Sequence, residues 1–160
     1  MRGLIGSIIG ASFALAVVAC GHSGADDLGR LTLERTAPNP AHLGTMPARA
    51  LYCSRDTMLT IVTEGGAWST AIAVRTEWPP ISHAPITSPP PVVGAAVAAV
   101  RSVGDSVRTA LTATDGNVTI ESGVPISGHF TIDMGRDLLV PHLKGTFERL
   151  RVDTAGCVAG

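Results

Sequence analysis

The chain reads as mainly β, an antiparallel β-sandwich or barrel-like domain over residues 30–160. Short runs rich in β-branched residues alternate apolar and polar side chains with a period of two, which is how a strand with one buried face is written. Between the runs stand residues that accept positive φ, as tight hairpins require. Several such strands in series suit a sandwich or a barrel.

The elements follow in order. Arg30–Arg35 (RLTLER) alternates Leu31 and Leu33 with Thr32 and Glu34. Ala50–Ser54 and Leu59–Thr63 come next, then the turn Glu64-Gly65-Gly66 and a strand at Ser69–Glu77. Pro79–Pro91 (PPISHAPITSPPP) holds six prolines in thirteen residues. Proline cannot donate to a ladder and favours an extended, stiff chain, so this stretch is expected as a surface crossing between two halves of the sheet, or a linker between two small lobes. Ala95–Val103 and Ser106–Ala113 form a hairpin about Gly104-Asp105. Val93, Val97, Val100, Val107 and Leu111 also fit a helical face. The hairpin is preferred because Val107, Thr109, Leu111 and Ala113 alternate with Arg108, Ala110 and Thr112. After an expected turn at Asp115-Gly116-Asn117 come strands at Asn117–Glu121, Ile126–Met134 and Lys144–Val152. In the last of these, Glu148, Arg149 and Arg151 break the alternation, which implies a bulge.

The segment before the domain is of another kind. Between Arg2 and Cys20 there is no charge, and Leu4–Ala19 is a sixteen-residue apolar run containing Gly6 and Gly10. A spanning helix wants about 20 apolar residues; one basic residue, an apolar stretch and small residues at its end match a secretory signal peptide instead. Its end, Val17-Val18-Ala19-Cys20, resembles the lipobox of bacterial lipoproteins. That resemblance covers residues 1–20. It implies cleavage of residues 1–19, diacylglycerol on the Cys20 thiol and, in many bacteria, an acylated new amino terminus. Two or three acyl chains hold a protein on a bilayer where one is marginal, each buried methylene contributing about 0.8 kcal/mol. Gly21 rather than Asp after the cysteine implies an outer-membrane destination in the bacterial cell envelope. Residues 20–29 then form a short, small and polar tether.

Removing residues 1–19 leaves 141 residues, one domain with a sizeable core. Arg2 is the only charge removed, leaving 11 basic and 13 acidic residues without a basic stripe. Nothing in that balance points to nucleic acid. With Cys20 given to lipid, Cys53 and Cys157 remain in an oxidising compartment and are expected to pair, the alternative being two separate thiols. A bridge closing a loop of about 100 residues contributes roughly 4 to 5 kcal/mol on a chain-entropy model.

The last third resembles a repeated arrangement in small β-rich exported bacterial proteins of unknown function, in which a G-x-V-T-I strand precedes G-x-F and G-T-F strands. Here these are Gly116-Asn117-Val118-Thr119-Ile120, Gly128-His129-Phe130 and Gly145-Thr146-Phe147, within Ala95–Val152. No activity is implied. Phe130 and Phe147 are expected in the core, each two residues after a glycine that allows close backbone approach.

The residues offer little chemistry. There is no G-x-S-x-G; Gly21-His22-Ser23-Gly24 only looks similar and lies in the tether. His22, His42, His83, His129 and His142 lack zinc-site spacing, although strands could bring His129, His142 and Asp133 together. Asp133 and Asp137 in D-M-G-R-D suit a charged hairpin tip better than a calcium loop. Asn117-Val118-Thr119 is a glycosylation sequon of little meaning in a bacterium. Trp68 and Trp78, ten residues apart, could form a stacking platform for sugars if both faced outward, but a core residue and a strand-end plug is the preferred reading. The expectation is a non-enzymatic lipoprotein with no cofactor. Its partners would be the bilayer, through acylated Cys20, and an envelope protein; the alternative is a small-ligand or glycan-binding module.

Overall fold

The computed structural model describes residues 29–87, 92–102, 111–121, 123–135, 142–154 and 157. The lipobox, Cys20, His22 and the tether to Leu28 lie outside the described residues, as do Gly104-Asp105, residues 106–110 and Arg136-Asp137. Among those described there is no helix.

The strands are β1 (Gly29–Ala37), β2 (Ala41–Cys53), β3 (Met58–Thr63), β4 (Trp68–Arg75), β5 (His83–Pro85), β6 (Ala96–Ser102), β7 (Leu111–Thr112), β8 (Asp115–Glu121), β9 (Ile126–Asp133), β10 (His142–Leu150) and β11 (Val152–Asp153). They form one sheet in the order β5-β8-β9-β10-β1-β2-β3-β4-β6-β7, with β11 beside β2. Only Ala113 and Thr114 separate β7 from β8. Ala113 donates its N–H to Ala98 of β6 while Thr114 donates to Asp133 of β9, both at 2.8 Å. Residues 111–121 therefore join the two ends of the sheet, and the sheet curls into a barrel. The barrel-like form of the expected fold is the one observed.

Chain order follows wall order apart from β5 and the short β11, so the barrel is an up-and-down meander. β5 wedges in where the bent β7–β8 path leaves β6. It pairs with β8 (Ala84 opposite Val118), and just beyond it Ile86 donates to Gly116 and Thr87 to Ala96, both at 2.8 Å. Closure matters physically because, among the described strands, it leaves no long edge open to another chain.

The alternation seen in sequence is the inside–outside alternation of this wall. Leu31, Leu33, Leu59, Ile61, Ile72, Val74, Val118, Ile132 and Leu143 all point into one buried cluster. Side chains fill the lumen, as in other narrow barrels. Phe130 and Phe147 are the two largest fully buried side chains, and the register shows why each follows a glycine. In the β9–β10 pair Phe147 lies opposite Gly128 and Phe130 opposite Gly145. A Cβ on Gly128 would stand 2.6 Å from Phe147 Cζ, and one on Gly145 would stand 2.7 Å from Phe130 Cε1. Two G-x-F segments run antiparallel, so each ring lies over the other strand's glycine.

The end of the chain closes over its beginning. The expected bulge lies between Phe147 and Leu150, where Arg149 has φ 54° and donates its N–H to Ser127 Oγ at 3.0 Å. Past it, residues 148–150 crowd Gly29, where a Cβ would meet Leu150 Cδ2 and the carbonyls of Glu148 and Arg149 within 2.8 Å. β11 then runs parallel to β2, Val152 beside Ala50. Cys157 bonds Cys53 with the Cα atoms 4.6 Å apart, as expected from the cysteine count.

Three expectations change. The strand expected at Ala50–Ser54 begins at Ala41. Pro47 interrupts its pattern but is tolerated, because its carbonyl accepts from Glu64 N at 2.7 Å. Its nitrogen faces that same side, beyond Thr63, where β3 has ended. The proline-rich crossing contributes a strand, β5, to the wall. Asp115-Gly116-Asn117 is strand rather than turn: Gly116 has φ 140° and lies so close to β9 that a Cβ would collide with the Thr131 carbonyl.

Candidate functional site

In a meander alternate connections share an end of the barrel. At the upper end β2, β4, β8 and β10 finish while β1, β3, β6 and β9 begin. Its connections, where described, are residues 54–57, 76–95 and 123–125, together with the segment after β10 and the point where the chain enters at Gly29. The lower end carries the connections after β1, β3, β6 and β9.

The large hydrophobic side chains exposed among the described residues are Trp78 (40%), Val92 (63%), Val93 (71%) and Val124 (70%). All four belong to upper-end connections. Local bonding holds Trp78, Val92 and Val93 in place. Thr76 is buried, donates its backbone N–H to Thr57 O at 2.8 Å, and accepts from Ile81 N on its hydroxyl at 3.0 Å. That loop sets Trp78 against Tyr52, ring centroids 5.2 Å apart and tilted by 52°. Val92 and Val93 occupy a turn in which Gly94, at φ 84°, donates to Arg75 O and Ala95 donates to Val92 O. Arg55 and Arg75 share this end. Asp56 raises the pKa of the Arg55 guanidinium, first through a hydrogen bond and then through its charge.

Trp68 lies at the lower end, half-buried against the core. The two tryptophans do not meet, so no shared stacking platform forms. Sequence reasoning missed that Trp78 and the three valines share one end of the barrel; the available signal was that Trp-Pro-Pro and Gly-Val-Pro fall in connections of the same parity.

The second region is the outer wall of β8, β9, β10 and β1. One transverse row reads Thr119, His129, Thr146, Thr32, Thr45, each opposite the next. The hydroxyls of Thr32 and Thr45 are 3.1 Å apart. Below that row lies an open depression of 350 Å³ whose lining includes Asp115, Asn117, Thr131, Asp133, His142 and Lys144. Lys144 pairs with Glu34 at 3.0 Å and His142 Nδ1 with Asp133 at 3.3 Å. The carboxylates are also used locally, Asp115 accepting from Gly116 N and Asp133 from Gly135 N.

The trio His129, His142 and Asp133 is not assembled. His142 lies opposite Asp133, but His129 lies opposite Thr146, four residues along β10. Among the described residues no three His, Cys, Asp or Glu side chains are placed to hold a metal ion. His42 and His83 are exposed, His83 Nδ1 lying 3.4 Å from Thr119 Oγ1. Comparison with protein-family models, curated proteins and solved structures finds no match to this chain.

Proposed function

We propose that the protein is a lipoprotein of the bacterial cell envelope, held on its membrane, with the outer membrane the favoured one, by acyl groups on Cys20 and acting there as a non-catalytic interaction module. The observation that supports this best concerns the cysteines. The two within the domain bond each other, so the third, Cys20, is the odd one and directly follows Val17-Val18-Ala19 at the end of an uncharged apolar run. A lumen filled by side chains and a wall closed by hydrogen bonds suit a module that works through its outer surface. The test is the intact mass of protein extracted from its membrane, with and without reduction before alkylation. A mass of residues 20–160 plus acyl chains is the expected result. An unmodified chain, or one cut elsewhere, would overturn the anchor.

The alternative, a small-ligand or glycan-binding role, draws on the depression at Asp115, Asn117, Asp133, His142 and Lys144. A saturable thermal shift with an envelope saccharide, abolished by Asn117→Leu, would favour it over crosslinking to one envelope protein.

A further inference from the structure

The geometry points to the upper end of the barrel as a bilayer-docking surface, with Trp78, Val92, Val93 and Val124 seated in the lipid interface. This rests on the lipoprotein reading above and adds to it an orientation and a set of contact residues.

All four large apolar side chains exposed among the described residues lie in upper-end connections, whereas single residues scattered over both ends would need no explanation. Trp78, Val92 and Val93 are held there by the Thr76 hydroxyl, the Tyr52 ring and the Gly94 turn. The same end receives the chain at Gly29. Cys20 precedes Gly29 by nine residues, and a chain of that length reaches at most about 30 Å. An acylated Cys20 therefore keeps the upper end within that distance of the membrane, and the lipid surface is the partner that lies within reach at all times. Tryptophan favours the boundary between headgroups and acyl chains, and an apolar edge embeds there by about 5 to 10 Å. The charges on this end are mixed, with Arg55 and Arg75 against Asp56, Glu77 and Glu121, so the contact is apolar rather than electrostatic and survives added salt.

The two tryptophans make the test internal. The mature protein, its acylation checked by mass, is reconstituted in phosphatidylethanolamine–phosphatidylglycerol vesicles containing lipids brominated on their acyl chains. Trp68→Phe leaves Trp78 as the reporter, and its emission should shift to shorter wavelength and be quenched by the bromolipid. Trp78→Phe leaves Trp68, which should show neither effect. Val124→Trp in the Trp78→Phe background places an independent reporter on the same end and should restore the quenching, which covers the case in which loss of Trp68 unfolds the barrel. Acylated protein whose indole reporters at positions 78 and 124 are both unquenched by bromolipid overturns the docking and leaves the anchor standing; if acrylamide cannot reach them either, a protein covers this end. Unacylated protein overturns the anchor, and the docking with it.

Discussion

The two ends of this barrel are finished in different ways. At the upper end the last residues of β10 crowd Gly29, β11 pairs with β2, and Cys157 is bonded to Cys53. The lower end, where described, is closed by short turns such as Glu64-Gly65-Gly66, with both glycines at positive φ. The upper end thus combines covalent closure with exposed apolar groups. A surface that keeps Trp78 and three valines in water gains nothing from their burial, so the elements displaying them must be held by other bonds. The lower end exposes polar groups over the described residues and needs only turns.

The largest effect should come from removing the closure. Cys53→Ser with Cys157→Ser should cost about 4 to 5 kcal/mol, the loop entropy of a bridge spanning roughly 100 residues, read as a lower urea midpoint. Amide exchange should quicken at residues 148–153 while the turn at 64–66 keeps its protection. Equal loosening at both ends would show that the bond gives the upper end no local hold beyond its global effect and that the contrast between the ends is only one of surface chemistry.

Next comes the wall that joins the ends. Gly128→Ala would place a Cβ against Phe147 and the Thr119 carbonyl, an overpacking that should cost about 1 to 3 kcal/mol. Phe147→Leu should recover part of that loss in the double variant, because side chains in contact do not act additively. The recovery should stay incomplete, since the carbonyl cannot yield as a ring can. Full additivity would mean that the ring and the glycine do not share space.

Both features bear on what could be read from sequence. The strand faces were legible because alternation reports which side chains point inward, and Leu31, Leu33, Phe130 and Phe147 are all where that pattern places them. The G-x-F segments were legible as core, but their mutual interlock depends on the register between β9 and β10, which neither strand carries alone. Closure of the sheet was likewise hidden: β1 pairs with β10 across most of the chain, Leu31 opposite Phe147 and Ala37 opposite His142, and periodicity says nothing about such partners. Pro47 and Pro85 hid strands because a missing donor argues against a ladder unless one knows which side lacks a neighbour. The cysteine pair was legible because two thiols leave one choice, whereas the upper-end apolar group requires knowing which connections share an end.

A smaller effect is expected in the lower turn. Gly66 has φ 94°, and a Cβ there would stand 2.6 Å from Met46 Cγ. Gly66→Ala should cost about 1 kcal/mol or somewhat more, the strain of an L residue in that region adding to the contact. Met46 is flexible and can move aside, so the loss should remain well below that of the disulfide. A loss as large would mean that the lower end is held as firmly as the upper.

The smallest effect is expected on the polar wall. His142 and Asp133 face each other at 3.3 Å, with side chains 49% and 39% exposed. A contact so open to water contributes less than about 1 kcal/mol, so His142→Gln should leave the melting temperature nearly unchanged at neutral pH. Asp133 keeps its bond from Gly135 N in that variant, so the turn should persist. A loss above about 1 kcal/mol would exceed what an exposed pair supplies and would make the wall part of the barrel's stability. Without such a loss, this contact leaves the barrel's stability to the lumen and the closed upper end.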